Sequence, residues 1–257
     1  MKRQLPKYTS EYFFDKKNEY ALLIPTLNEG ERIQSQLKKI KSLSLENIVD
    51  IFILDSNSSD KSVEKDFLEQ CSVRAKLTIY EGKQGSAFVA GINEILNQNY
   101  SGIITVDGNN KDSMQSVTDF VKKLDDGFDF IQGSRFTKGG IHENTPIARL
   151  LAMKLILIPW INLLAKSHYT EVASAFRAYS KNLLASANVL NKKFVSYEFL
   201  WYMSVFAPKN NFKITEIPTE RCYPKSKKIP TKISLKGCFE IILQLFYLTI
   251  GKYDKEN

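Results

Sequence analysis

The chain has 257 residues, 43% of them apolar, and a formal net charge of +8. That is enough for one large domain, or one domain with appendages, around a sizeable core. The basic balance points to an anionic partner such as a nucleotide, a phosphate or a membrane surface, and no basic-aromatic stripe supports nucleic acid, which we expect to be no partner.

Residues 1–18 are charged and aperiodic and read as an N-terminal arm without a secretory apolar region. Residues 20–24 predict a first strand, broken at Pro25-Thr26-Leu27. Asn28 is placed as an N-cap with Glu31 three residues on, and Ile33, Leu37 and Ile40 follow at helical spacing. Residues 48–54 predict a second strand running into Asp55. Asp60 is then the next N-cap, with Val63, Phe67 and Leu68 inside a helix. Residues 77–80 make a third strand, and Gly82-Lys-Gln-Gly85 opens a helix carrying Ala87, Ala90, Ile92 and Leu96. Residues 103–106 are mostly β-branched and end abruptly at Asp107, followed by Gly108 and two asparagines, the residues of a tight loop. A helix with Met114, Val117, Phe120, Val121 and Leu124 comes next, then a strand over 128–131 ending in Gly133-Ser-Arg135. Five strands alternating with four helices predict an α/β fold with a largely parallel sheet.

After about residue 145 the texture changes. Residues 150–165 are nearly all apolar, interrupted by Lys154, Pro159 and Asn162. The run is shorter than the roughly 20 residues that span a bilayer. With Trp160 inside and Arg149 and Lys166 at its ends, it reads as a buried or interfacial helix. Residues 213–217 predict one more strand. Residues 233–250 predict a helix whose polar stripe is only Lys236, Glu240 and Gln244. So wide an apolar face must cover a core, a second copy in a homodimer, or a lipid surface. Cys71, Cys222 and Cys238 are too few and scattered for a disulfide framework or zinc site and read as free thiols of a reducing cytoplasm.

Three loops, residues 25–29, 55–60 and 107–112, converge on one rim of such a sheet, where open α/β sheets bind ligands. Glu29, Asp55 and Asp107 suit a nucleobase edge, ribose hydroxyls and a divalent cation, while Lys83 and Arg135 are placed to offset a pyrophosphate. No dinucleotide glycine fingerprint or phosphate-loop lysine motif occurs.

At these residues the chain resembles the family 2 glycosyltransferases of GT-A fold, and within them the dolichyl- or polyprenyl-phosphate mannose and glucose synthases. The matching segments are Ile24-Pro-Thr-Leu-Asn-Glu29, Asp55-Ser-Asn-Ser-Ser-Asp60, Gly82-Lys-Gln-Gly85, Gly133-Ser-Arg-Phe136, Ala175-Phe-Arg177, Glu216-Ile-Pro218 and Thr231-Lys232. They run in family order over about residues 20–235. The resemblance implies a catalytic domain over 19–230 and a C-terminal amphipathic helix and tail over 231–257. It implies that Pro25, Glu29 and Asp55 hold the nucleoside and that Asp107 lies at ribose and metal. Arg135, Arg177 and Lys232 would face phosphates of donor or acceptor, and Glu171 falls where the family often has an aspartate.

The departures matter. Leu27 replaces a tyrosine, Ser56 an aspartate, and the family's Asp-x-Asp is here Asp107-Gly108-Asn109. Asparagine gives Mg²⁺ or Mn²⁺ an oxygen without charge, so weak metal binding is expected, with Asp112 or Lys111 as candidates to compensate. The implied reaction is displacement at the anomeric carbon of a nucleotide-diphosphate sugar, with the nucleoside diphosphate leaving. A polyprenyl phosphate acceptor, already anionic, needs little base, and the protein would sit peripherally on the cytoplasmic membrane face. Two alternatives stand: a glycan or soluble hydroxyl acceptor, with Glu171, Glu198 or Asp112 as base, and an inactive nucleotide-binding assembly subunit.

Overall fold

Strands covered by helices on both faces must be apolar along their whole length. The computed structural model, which describes residues 3–224 and 235–254 with the side chains of 235–238 excepted, has such strands at its centre. The strands in chain order are β1 (Tyr8–Tyr12), β2 (Tyr20–Thr26), β3 (Asp50–Asp55), β4 (Ala75–Ile79), β5 (Gly102–Thr105), β6 (Phe130–Ser134), β7 (Ile141–Glu143), β8 (Arg177–Ser180), β9 (Ile214–Pro218) and β10 (Glu220–Cys222). The helices are α1 (Glu31–Ser42), α2 (Lys65–Gln70), α3 (Gln84–Asn97), α4 (Val117–Asp125), α5 (Ile147–Ala152), α6 (Ile158–Ala165), α7 (Lys181–Ser186), α8 (Glu198–Lys209) and α9 (Leu235–Thr249).

The main sheet has eight strands in the order β1-β4-β3-β2-β5-β8-β6-β9. From β4 to β5 it is parallel, and β6 pairs in parallel with β9. The expected α/β class and largely parallel sheet are therefore found, with two antiparallel strands the pattern does not announce. One is β8, a four-residue strand between β5 and β6. The other is β1, which lies in the arm expected to be aperiodic and pairs Tyr8 with Ile79 and Tyr12 with Ala75. Four of its five residues are exposed, so it carries no apolar run, and its hold is the backbone ladder plus Tyr8 and Tyr12 donating to the Glu94 carboxylate. A separate two-stranded ribbon pairs β10 with β7.

Phe88, Val89, Ile161, Phe199 and Leu245 place α3, α6, α8 and α9 on one face of the sheet. Ile33, Leu37, Leu68 and Phe120 place α1, α2 and α4 on the other. Helix α8 is buried almost all round and so shows no amphipathic period. Between α5 and α6 the chain makes a π-helical turn, Met153–Leu157, so helical structure runs without a break over Ile147–Ala165. At 19 residues this stretch is, contrary to expectation, long and apolar enough to cross a membrane by length and composition, because it starts three residues earlier, behind Pro146.

Arg177 opens β8 and is fully buried. Its guanidinium donates to the carbonyls of Ser174 (2.8 Å) and Val172 (2.7 Å), to the Leu200 carbonyl and to Ser204 Oγ (3.0 Å). It thereby ties the loop before β8 to α8. Removing it leaves several buried acceptors unpaired. Arg177→Met should therefore lower stability by about 3 kcal/mol in urea unfolding while the folded fraction keeps its nucleotide affinity. Unchanged stability with lost nucleotide affinity would place Arg177 at a ligand instead.

Candidate active site

The carboxyl ends of β2, β3 and β5 form the rim. Thr26 and Asp55 end β2 and β3 in register. Asp55, nearly buried, turns back to accept the Ser58 amide at 3.0 Å, which closes its loop. Asn28 and Asp60 do not cap helices as expected, since α1 starts after Gly30 and α2 after Glu64. Instead the Asn28 side chain accepts the Ser59 amide at 2.8 Å, and Asp60 accepts the Gly30 amide at 2.8 Å. Short polar side chains satisfy a neighbouring loop's amides as readily as a helix end, and here they lace two rim loops together. Glu29 pairs with Arg32 at 2.8 Å.

Beyond β5 the chain keeps to the side of β2. The Val106 amide donates to Leu23 and the Gly108 amide to Pro25. A Cβ on Gly108 would stand 2.8 Å from the Pro25 carbonyl oxygen, so only glycine allows this approach. It aims Asp107 back at the rim. Asp107 Oδ1 accepts Gln84 Nε2 at 2.8 Å, and Oδ2 accepts Arg221 Nη2 at 3.0 Å. The other fork of Arg221 pairs with Asp112. Gln84 is the first residue of α3, seated by the Lys83 and Gly85 amides on the Val195 carbonyl. Arg221 is on β10, whose backbone pairs with the Asp112 loop: Ser113 donates to Glu220 and Cys222 to Lys111. Burial alone would raise the Asp107 carboxyl, but Arg221 and then Gln84 outweigh it and hold it below the usual carboxylate range. Burial pushes the Asp112 carboxyl up against the pull of Arg221.

Next to this triad is buried Tyr223. Its hydroxyl accepts Arg149 Nη1 at 3.0 Å, Lys111 Nζ stands 4.8 Å from its ring centre, and the Arg221 guanidinium 5.8 Å from it. Burial would raise the phenol, but Arg221, Arg149 and Arg135 together bring it down to about 8. Arg135 is buried and pairs through Nε with Glu171 at 2.6 Å, leaving its Nη1 buried without a hydrogen-bond partner. Glu171 also accepts the Ala173 amide at 2.8 Å.

Of the residues expected at the site, the structure gathers Pro25, Asp55, Asp107, Asn109 and Glu29 on the rim loops, and joins Arg135 to Glu171 close by. Arg177 is elsewhere, in the core. Lys83 is turned outward to Glu240 of α9 at 3.1 Å, and Lys232 lies outside the described residues. Lys111 faces Tyr223, and the cation hydrogen-bonded to Asp107 is Arg221 instead. Gln84, Arg149, Arg221 and Tyr223 were not foreseen. Gln84 lies inside a motif that was read for its lysine, and Arg221 is 114 positions from Asp107. For a divalent cation the available donors are the Asp107 carboxylate and Asn109, whose Oδ1 is buried with no hydrogen-bond partner. That orphaned oxygen fits a metal ligand, although among the described residues no three His, Cys, Asp or Glu side chains form a metal cluster.

No family model matches the chain. It is 24% identical over 207 residues to the polyprenol monophosphomannose synthase of Mycolicibacterium smegmatis, covering 78% of this chain and 77% of that protein. It is 24% identical over 231 residues to the dolichol-phosphate mannosyltransferase of Pyrococcus furiosus, covering 89% of this chain and 63% of that one. Glucosyl-3-phosphoglycerate synthase of Mycobacterium tuberculosis, solved with Mn²⁺, uridine diphosphate and phosphoglyceric acid, superposes with a TM-score of 0.65 at 14% identity, over 93% of this chain and 79% of that one. The same enzyme with Mn²⁺, UDP-glucose and phosphoglyceric acid gives 0.63 at 15% identity, over 93% and 80%. The fold is thus the GT-A glycosyltransferase fold.

The cations around Tyr223 have a spectroscopic consequence. Its phenol should titrate near pH 8, against an ordinary value of 10. Between those values the unfolded chain holds the proton that the folded one has lost, so this group's contribution to stability rises with pH across that window. Near-ultraviolet absorbance should show one phenolate step near pH 8 that Tyr223→Phe removes. A step that survives the substitution belongs to another tyrosine.

Proposed function

We infer that this chain, a GT-A glycosyltransferase of the family 2 type, transfers a sugar from a nucleoside-diphosphate donor to a polyprenyl phosphate at a membrane surface. The observation that carries the reading is Asp107 at the carboxyl end of β5, kept anionic by Arg221 and Gln84. Beside it lies a group of cations, Lys111, Arg135, Arg149 and Arg221, gathered around one phenol. Carboxylates suit ribose hydroxyls, and cations suit the two phosphates that leave together. Lipid-phosphate mannosyltransferases among the relatives, and uridine diphosphate with Mn²⁺ in the structural neighbour, support the same assignment. Asp107 and Asn109 would hold a divalent cation, which when bound adds charge stabilisation to the departing diphosphate.

What the acids near the site are already doing supports a phosphate acceptor. A sugar hydroxyl needs a carboxylate base. Glu171 is buried against Arg135, Glu198 is buried accepting the Val195 and Ser196 amides, and Asp112 is buried against Arg221. None is open to take a proton from an incoming hydroxyl. A phosphate monoester needs no such base, and cations attract it.

The membrane surface has its own support. Helices α6 and α9 both pack on α8, and Trp160 Nε1 donates to Thr249 Oγ1 at 3.0 Å, linking them. The outer faces of α9 and of the helical stretch Ile147–Ala165 expose Leu151, Leu155, Leu163, Phe239, Ile242 and Phe246, with Leu163 at 78% and Phe239 at 67%. So large an apolar area calls for an occupant, and the exposed Lys154 and Lys166, within and just after that stretch, favour anionic lipid over a second copy.

Transfer is tested with radiolabelled nucleotide-sugars and polyprenyl phosphate in vesicles. Wild type should label the lipid in an Asp107-dependent manner, and Asp107→Asn should lose about 10²- to 10³-fold while remaining folded. Full activity in a folded Asp107→Asn protein would remove the donor site from this rim, and absence of transfer from every donor would favour an inactive nucleotide-binding subunit.

Flotation tests the surface. Wild type should float with anionic vesicles and be only partly released by salt, because apolar insertion is not screened. Phe239→Glu with Phe246→Glu should stay in solution. A wild type that ignores vesicles and sediments as a dimer would assign the face to a second copy.

A further inference from the structure

Arg221 places a protein cation on the one carboxylate that a donor-bound metal would use. Its two terminal nitrogens serve two acids, Asp107 through Nη2 and Asp112 through Nη1, as only a guanidinium fork can. The triad is graded in depth. The Asp112 side chain is 1% exposed, that of Arg221 8% and that of Asp107 22%. Asp112 is therefore the anchor and Asp107 the end that opens on the rim. The backbone holds the arrangement as well, because the hydrogen bonds of Ser113 to Glu220 and of Cys222 to Lys111 flank the bridge between Asp112 and Arg221. The two pairs use different terminal nitrogens, so breaking the one to Asp107 does not by itself break the one to Asp112. The remaining metal donor, Asn109, brings no charge, so a dication at Asp107 would meet one carboxylate already neutralised and one neutral amide.

We propose that Arg221 is a resident counter-cation of the donor site, competing with divalent metal for Asp107 and itself contributing the positive charge that a nucleoside diphosphate needs. The proposal rests on the donor-site reading above and deepens it. When a diphosphate enters, the Nη2 fork turns from Asp107 to a phosphate oxygen while Nη1 stays on Asp112. Lys111 and Arg149, gathered on Tyr223, extend the same positive field. Metal then adds to binding already present and is not its precondition. Arg221 acts on the metal through Asp107, so in that respect it is a positioning residue.

The test uses the whole chain and two separate binding measurements. Calorimetry follows UDP and GDP, each in EDTA and in Mn²⁺, and electron paramagnetic resonance follows Mn²⁺ alone. In wild type one of the two nucleotides should bind in EDTA within about tenfold of its affinity in Mn²⁺. Arg221→Gln should weaken the metal-free binding by about tenfold or more, and should tighten Mn²⁺ binding by about threefold or more because Asp107 is freed. A merely structural arginine could produce the loss but not the gain. Arg221→Lys, whose single ammonium cannot span both acids, should shift both readings the same way by less. If Arg221→Gln fails to fold, the lysine variant alone must show both shifts. Unchanged metal-free nucleotide binding, or Mn²⁺ affinity that does not rise, overturns the role of Arg221. Nucleotide binding in wild type only with Mn²⁺ overturns it too and leaves the donor site standing. No nucleotide binding under either condition overturns the donor site and this proposal together.

Discussion

One guanidinium, Arg221, holds the loop after β5 against the β10 ribbon, and the geometry of the rim depends on that connection. Asp107 could sit at the end of any buried strand. It becomes a poised anion because Gln84 from α3 and Arg221 from β10 reach it from opposite sides. Desolvation pushes its carboxyl up, and the Arg221 charge and the hydrogen bonds from Arg221 and Gln84 bring it down again. The backbone supports the charges. Gly108 lets the loop lie against Pro25, and Gly85 lets the start of α3 lie against Ser196, where a Cβ would come within 2.7 Å of main-chain atoms.

The same residue type serves opposite purposes in this fold. Arg177 spends its donors on main-chain carbonyls and a serine, so it works as a structural tie. Arg135 makes one strong pair with Glu171 and keeps Nη1 without a protein partner. Arg221 is shared between two acids of unequal depth. A buried cation with all its hydrogen bonds made is structure, whereas one with a donor to spare, at the edge of a rim, is chemistry in waiting.

The apolar helices connect to this rim through more than proximity. Lys83, beside Gln84, pairs with Glu240 of α9, and Lys193 donates to the Tyr253 carbonyl just after α9. Phe194 and Tyr253 stack beside them. The segment that holds the Asp107 partner is thereby attached to the helix whose outer face is greasy. The proposed lipid-facing helix α9 and the proposed donor-side start of α3 are thus joined through the Lys83–Glu240 pair.

What the sequence by itself determined was the local, periodic part. Apolar runs marked β2, β3 and β5, the last two ending in acids, and helical spacing marked α1, α3 and α4, because a strand buried on both faces leaves a short continuous apolar run and a helix buried on one leaves a period. Acids in the three loops that follow these strands then located the rim. The short strands β7, β8 and β10 left no period to see, β1 is mostly exposed, and α8 is buried all round, so none had a readable face. Asn28 and Asp60 looked like helix caps because a cap and a loop-to-loop tie use the same side-chain chemistry. Lys111 stood close to Asp107 in the chain and was, with Asp112, a candidate to compensate for Asn109, yet the cation the fold set on Asp107 is Arg221, from 114 positions away. Which arginine is held in the core and which stands at the rim, and which cation meets Asp107, were decided only by tertiary structure. Long-range pairing of charges depends on where the sheet order carries each strand end, and no local window contains that order.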